Sequence, residues 1–310
     1  MLDRGRPLVV WGCDPARQLE LGWLQALLGP LPALPAWEQP LAIPPAQLPP
    51  VVVLVESGLL RLERAPDPAR LRQLHQQRLQ RLQALAGVAH LGLLHLSDEE
   101  GLDGDHLYPA LPAHTRVWRN FSYPRFPAAR VFPIGPRAEW LEPSLVAQGA
   151  QPASQRPYPW AFMGTLWASG SRTLAASLFL RALPAGFFYG GRAFGRGLPL
   201  EEYRQRLLQS AFSLCPEGDR HLDTFRLYES LQAGCIPVLV DQRAMAASLL
   251  GDVAPWPVFH TWPEALVWVQ DLLQRPQRLD ATQRAIASWW QRRREGLAIA
   301  MRHTLHLPLG

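Results

Sequence analysis

The sequence predicts an α/β protein built on parallel sheets, and three observations predict it. The first is the stretch Ser210–Asp241, which reads strand, loop, helix, strand. Ala211–Cys215 is a short apolar run broken by Pro216 and Gly218. Asp223 and Thr224 are N-cap residue types, a helix follows over Phe225–Ala233, and Gly234 stops it. Ile236–Val240 is then a second buried strand, rich in β-branched residues. So short a crossover implies parallel pairing. The second observation is that other apolar runs, Leu8–Trp11, Val51–Val55 and Val88–Leu96, also end at polar or glycine-rich turns. The third is size: 310 residues, 48% of them hydrophobic, suffice for one large domain or two ordinary ones.

Taken in order, Leu8–Trp11 is a strand opening onto Gly12-Cys13-Asp14-Pro15, and Gly22–Leu28 is helical. Residues 29–50 are proline-rich and expected to be an irregular connection. Val51–Val55 ends at Glu56-Ser57-Gly58. Asp67-Pro68 is a cap followed by proline at the first helical position. Leu71, Leu74, Leu82 and Leu85 form one stripe of that helix, and its Arg and Gln residues are expected on the wet face. Val88–Leu96 leads into Ser97-Asp98-Glu99-Glu100, and Val117–Phe121 and Val131–Gly135 are further short strands. Residues 142–158, rich in Pro, Gln and Ser, are the expected linker between a domain over 1–150 and a second over 151–310. The second domain begins with the strand Tyr158–Gly164, a loop to Gly170, and the helix Ser171–Leu183 with Arg172 in its first turn. Phe187–Tyr189 is the next strand; Gly190, Gly191, Gly195 and Gly197, around Arg192 and Arg196, form a flexible loop. Thr261-Trp262-Pro263-Glu264 is a capping box opening a helix over 262–274. Asp280 is expected to cap a last helix reaching Arg302, with Trp289 and Trp290 in its packed face.

Composition narrows the function classes. Charged residues make up only 18%, so the chain is not a disordered polyelectrolyte. The three cysteines, Cys13, Cys215 and Cys235, have no metal-ligand spacing; two of them fall in expected strands or at strand ends, where buried inert thiols are the common case, and the set suits a reducing compartment. Every basic residue other than histidine is Arg, and the net charge is +5. The arginines are spread along the chain without an aromatic-interleaved patch, which argues against nucleic acid as partner and allows peripheral contact with anionic glycans or membrane surfaces. The amino-terminal residues lack a signal-peptide core, and no apolar run approaches the roughly 18 residues of a membrane span. A cytoplasmic location is the expectation.

The chemistry follows from the predicted topology. Ligands of parallel sheets sit beyond the carboxyl ends of the strands, here at Pro216–Asp223, where a helix N-terminus attracts phosphate. Arg226 and Glu229, three apart, share a helix face there. The guanidinium can grip a diphosphate and the carboxylate can accept from sugar hydroxyls; the plainer alternative is a surface ion pair. The loop after Gly164 is not a P-loop, since G-K-[ST] is absent. Asp103-Gly104-Asp105 has the letters of an acidic metal motif but lies in the first domain, away from the expected donor site.

The string L-C-P-x-G, D-T-x-R-x-x-E-x-L, A-G-C-I-P-V, in that order, resembles the exostosin-type glycosyltransferases, with a looser similarity to the α1,3-fucosyltransferases. The similarity is firm over Tyr158–Asp241 and weaker from Val88, where S-D-E and P-I-G segments match and Phe121 stands where tyrosine is more usual. The resemblance implies a GT-B fold, two Rossmann-like domains facing a cleft, with the nucleotide sugar held by the second and the last helix returning to the first. It implies a donor site at Gly164, Arg172, Pro216, Gly218, Asp223, Thr224, Arg226 and Glu229. Animal exostosins carry an N-terminal membrane anchor that this sequence does not show.

The expected function is therefore inverting, metal-independent glycosyl transfer from a nucleoside diphosphate sugar to a glycan or lipid-linked acceptor in polysaccharide biosynthesis, with no cofactor. The general base is expected to be a carboxylate or histidine from the first domain. Asp98 or Glu99 is the expected base because the S-D-E segment best matches the family there; Asp14 and Glu56 are rivals after other strands, and Asp98 has the alternative of a plain cap. A non-catalytic sugar-nucleotide or glycan-binding protein is the alternative from another class.

Overall fold

A computed structural model describes residues 5–37, 41, 43–60, 67–141, 151–166, 170–191, 197–218, 220–251 and 254–309. The chain divides into two compact units, Met1–Ile134 with Arg294–Gly310, and Gly135–Arg293. Residues 142–150 of the expected linker and 192–196 of the expected glycine-rich loop lie outside the described residues.

The first unit is organised on a parallel sheet. Its strands are β1 (Leu8–Trp11), β2 (Ala33–Pro35), β3 (Val51–Ser57), β4 (His90–Leu96), β5 (Arg116–Arg119) and β6 (Arg130–Val131), in the order β2-β1-β3-β4-β5-β6. β3 and β4 are buried along nearly their whole length, as their continuous apolar sequences require. β2 corrects the expectation of an irregular 29–50 segment: it pairs with β1 at the sheet edge, the place where a proline-containing strand is tolerated.

Helix α1 (Leu21–Leu28) follows β1, α2 (Pro68–Leu85) precedes β4, and α3 (Leu102–Leu107) precedes β5. Asp67 caps α2 through the amides of Ala69 and Arg70, with Pro68 at the first helical position. Leu82 and Leu85 pack against Val52, Leu54, Leu91 and Leu93. The expectation that the arginines of α2 are all solvated is overturned at Arg78 and Arg81, which are buried against Glu56 at the end of β3. Paired charge, invisible to a hydrophobic stripe, allows them inside.

The second unit holds β7 (Tyr158–Thr165), α4 (Ser171–Ala182), β8 (Phe187–Gly191), α5 (Leu200–Leu208), β9 (Ser210–Leu214), α6 (Phe225–Gln232), β10 (Ile236–Val238), α7 (Ala246–Leu250) and α8 (Trp262–Leu273). All pairings are parallel, in the order β10-β9-β7-β8. The strand–helix–strand expectation for Ser210–Asp241 holds, and α6 ends where Gly234 takes a φ of 64° that other residues rarely adopt. The capping box at Thr261 also forms: Thr261 Oγ1 accepts from the Glu264 amide, and Glu264 reaches back to the His260 amide.

Helix α9 (Pro276–Thr304) begins earlier than expected. Proline supplies the start, and Asp280 lies inside the helix, accepting from the amide and hydroxyl of Ser154. Trp290 is buried beside Tyr228 and donates to Gln232, a packing role.

Candidate functional site

The order of the second unit's strands fixes where a ligand can enter. From β7 the chain passes outward to β8, then returns to the other side of β7 as β9. The order therefore reverses between β7 and β9, and a crevice opens past their carboxyl ends. Arg172, in the first turn of α4, spans this point: its Nη1 donates to Thr165 O at the end of β7 and its Nε to Glu217 O after β9. Arg172 thus ties the two strand ends together in addition to bringing a charge.

Arg226 enters the same place from the first turn of α6. Its Nε donates to Met163 O and its guanidinium lies 4.7 Å from the Phe162 ring centroid. A Cβ at Gly164 would overlap Arg226 Nη2, so the glycine makes room for the guanidinium against the strand. Arg226 Nη1 is buried without a hydrogen-bond partner, and so is Thr224 Oγ1 one turn-start earlier. Thr224 occupies the N-cap but makes no side-chain cap, which leaves first-turn amides of α6 uncapped. Buried unmet donors of this kind normally have a partner, in protein, water or ligand.

Pro216 is buried and Gly218 donates to His221 O, closing the loop ahead of α6. Asp223 is buried and accepts from Tyr228 OH. It therefore anchors the helix start and does not serve as the side-chain cap. Gly164, Arg172 and Arg226 meet at the ends of β7 and β9; Pro216 follows β9, and Gly218, Asp223 and Thr224 lie in the connection from there to α6.

Glu229 is positioned differently from the expectation that it and Arg226 act as one face. It is 2% exposed, and its two oxygens accept from Arg137 Nε at 2.5 Å and Tyr203 OH at 2.6 Å. Burial opposes the Arg137 charge, but the Glu229 carboxylate overrides it and raises the Arg137 pKa. Burial and the same carboxylate push Tyr203 well above the ordinary phenol range, so it stays a donor. Sequence reasoning missed both partners. Tyr203 lies in α5, which carries no motif; Arg137 stands two residues after the P-I-G segment, the only signal that could have drawn attention to it.

Cys215 and Cys235 are buried, and burial raises both thiols, Cys235 to about 12. They are packing groups at the ends of β9 and α6.

The first-domain candidates stand at the carboxyl ends of β3 and β4. Asp98 is 1% exposed and accepts from the amides of Asp103 and Gly104, at 3.0 and 3.1 Å, and from Arg119 Nη2 at 3.0 Å. This is the cap alternative, strengthened by an ion pair; the carboxylate holds the start of α3. Glu99 is half-buried, with Tyr123 OH donating to its carbonyl. Glu56 is buried between Arg78 and Arg81, and Asp14 caps a short turn through the Ala16 amide. Asp103 is buried between Arg78 and His95, consistent with a structural role for that acidic motif. Ser97 and Phe121, which follow β4 and β5, both have positive φ, 57° and 59°. Such backbone strain concentrates at functional sites.

Comparison with known proteins bears on this geometry. Residues 112–262 match the model of the exostosin GT47 domain. The chain is exostosin-like over that region. Within it lie Arg119, Arg137 and every residue converging on β7 and β9. Exostosin-1 of Drosophila melanogaster is 39% identical over 77 residues, a match spanning 24% of this chain and 9% of the fly protein. The crystal structure of an α1,3-fucosyltransferase aligns with 98% of this chain and 91% of its own, at 9% identity and a TM-score of 0.45. Among the described residues no helix is long and apolar enough to cross a membrane, and no three His, Cys, Asp or Glu side chains are grouped to hold a metal ion.

Proposed function

We propose that this exostosin-like chain is an inverting glycosyltransferase that takes a nucleoside diphosphate sugar at the ends of β7 and β9. The observation that carries the reading is Arg226, whose buried Nη1 has no partner beside an uncapped helix N-terminus. A diphosphate supplies the missing acceptors. Arg226 and the α6 amides would then stabilise the charge that develops on the leaving phosphate, with no metal or cofactor needed for that step. Glu229 acts through the Arg137–Tyr203 network that fixes the other side of α6, and contact with the donor ribose is left to groups around it. The acceptor is a hydroxyl of a glycan or lipid-linked glycan, presented to the first unit.

The base is assigned to Glu99. A general base must reach the acceptor proton, and the Asp98 carboxylate is committed to two amides and Arg119. The same commitment favours one alternative, a non-catalytic sugar-nucleotide-binding protein, if no other carboxylate serves. Calorimetry with UDP, GDP and their sugar conjugates tests the binding half. Binding of one of them, weakened about 10- to 150-fold by Arg226→Ala, is expected, and equal affinity in both proteins overturns the donor site. Release of nucleoside diphosphate in the presence of acceptor glycans separates enzyme from binding protein.

A further inference from the structure

A second basic cluster lies at the opposite end of the first unit's sheet, where β4 and β5 begin. A cavity of about 220 Å³ is lined there by His90, His114, Arg116, Thr304, Leu305 and His306. Water occupies about 30 Å³ per molecule in the liquid, so the space holds a small polyatomic ion with some of its hydration. Among the described residues no carboxylate lines it. The imidazoles of His90 and His306 stack with centroids 4.0 Å apart, and His306 is held at a φ of 56°, where a non-glycine residue is strained. His114 Nε2 donates to Val88 O, and Arg130 Nη1 donates to Thr304 Oγ1, bringing another guanidinium to the rim.

We propose that this cavity binds an oxyanion, a phosphate or sulfate group, between the Arg116 guanidinium and the stacked His90 and His306 imidazoles. Arg116 offers a planar fork of donors that matches two oxygens of such a group. Two imidazoles held face to face repel when protonated, and an anion between them and Arg116 relieves the repulsion. Among the described residues, the titratable groups facing His306 are basic: His90 from β4, His114 from the loop ahead of β5, Arg116 from β5 and His303 from α9. Local desolvation, then His90, Arg116 and His303, lower the His306 pKa. A bound anion raises it again, so binding takes up protons and strengthens as pH falls. This inference is independent of the donor site, which lies in the other unit.

The test uses the whole chain and inorganic sulfate, whose own charge is constant over the range. Calorimetry at about pH 7.5 and about pH 5.5 is expected to show saturable binding, tighter by about tenfold or more at the lower pH. NMR of the imidazole nitrogens is expected to show the His306 pKa rising on sulfate addition. Arg116→Gln should weaken sulfate by about tenfold or more at the lower pH, as a charge-assisted contact is lost. His306→Asn, a residue that tolerates positive φ, should flatten the pH dependence. Both side chains are exposed, so melting temperatures should stay close to the parent's. Absence of saturable binding, a His306 pKa that does not move, or sulfate affinity unchanged in both variants overturns the proposal. A parallel titration with inorganic phosphate and glucose 6-phosphate tells the sources apart. Tighter binding of the ester, lost in Arg116→Gln, assigns the site to a phosphorylated sugar; equal affinities assign it to the free ion.

Discussion

In the first unit, Glu56, Arg78, Arg81, Asp98, Asp103 and Arg119 gather at the carboxyl ends of β3–β5 and bond chiefly to one another. In the second, Arg226 gathers with Arg172 and an uncapped helix start at the ends of β7 and β9, and no carboxylate partners it among the described residues. Both clusters sit where parallel sheets place their ligands. The first answers its charges internally. Even the unbonded Nη1 of Arg119 belongs to a guanidinium ringed by Tyr108, Tyr123 and Phe126 and paired with Asp98. The second leaves Arg226 Nη1 without an acceptor among the described residues. Buried polar groups that satisfy one another report architecture; those that do not, at a strand-end crevice, report a ligand.

The sharpest way to break this contrast is through the proposed base. Glu99→Gln should lower turnover by about 10²–10⁴-fold while donor affinity holds, the range for a lost general base. Asp98→Asn should instead lower the melting temperature, because the buried Arg119 loses its counter-charge. If Asp98→Asn alone removes turnover in protein that melts normally, the first cluster is catalytic and the division drawn here fails.

Next in size is the core of the first cluster. Arg78→Met removes a guanidinium bonded to both Glu56 and Asp103 and leaves two buried carboxylates short of a partner. Breaking such a network costs about 3–5 kcal/mol. Urea unfolding should show a loss of that order; a loss under about 1 kcal/mol would remove the structural assignment.

Smaller still is Arg226→Ala. Charge-assisted hydrogen bonds contribute about 1.5–3 kcal/mol, so donor affinity should fall by about 10- to 150-fold with little change in stability. Arg226→Lys should recover only part, since a point charge lacks the fork. Glu229→Gln should behave like the first cluster, destabilising the unit because Arg137 and Tyr203 depend on the carboxylate.

The sequence made the second cluster legible because its geometry is local. Pro216, Gly218, Thr224, Arg226 and Gly234 lie in one strand–loop–helix unit, where caps, breakers and periodicity act over a few residues. The first cluster was not legible. Glu56, Arg78, Asp103 and Arg119 come from four elements, and the registers of β3 and β5 with β4, which set Glu56 and Arg119 beside His95, bring them together. Hydrophobic periodicity marks α2's leucines and says nothing of a buried arginine. Likewise β2 was hidden by its prolines, and Tyr203 by an amphipathic helix without a motif.

The last prediction titrates the first cluster. Burial alone would raise the Asp103 pKa, but the hydrogen bond to His95 and the Arg78 charge override it and hold the carboxyl well below its ordinary value of 3.8. A depressed folded pKa contributes stability that is fully present above the unfolded value and is lost as pH falls through the folded one. Asp103→Asn carries no such group. The stability gap between the parent and Asp103→Asn should therefore be constant from neutral pH down to about pH 5 and narrow below about pH 4. Urea unfolding at a series of pH values measures it. Protonation of Asp103 leaves Arg78 with Glu56 and the Ser57 carbonyl, so the narrowing should be gradual and smaller than the effect of Arg78→Met. A gap that stays constant into strong acid would show that Asp103 does not titrate with the fold. In that case the charges at this end of the sheet are not the mutually paired set that distinguishes it from the site at Arg226.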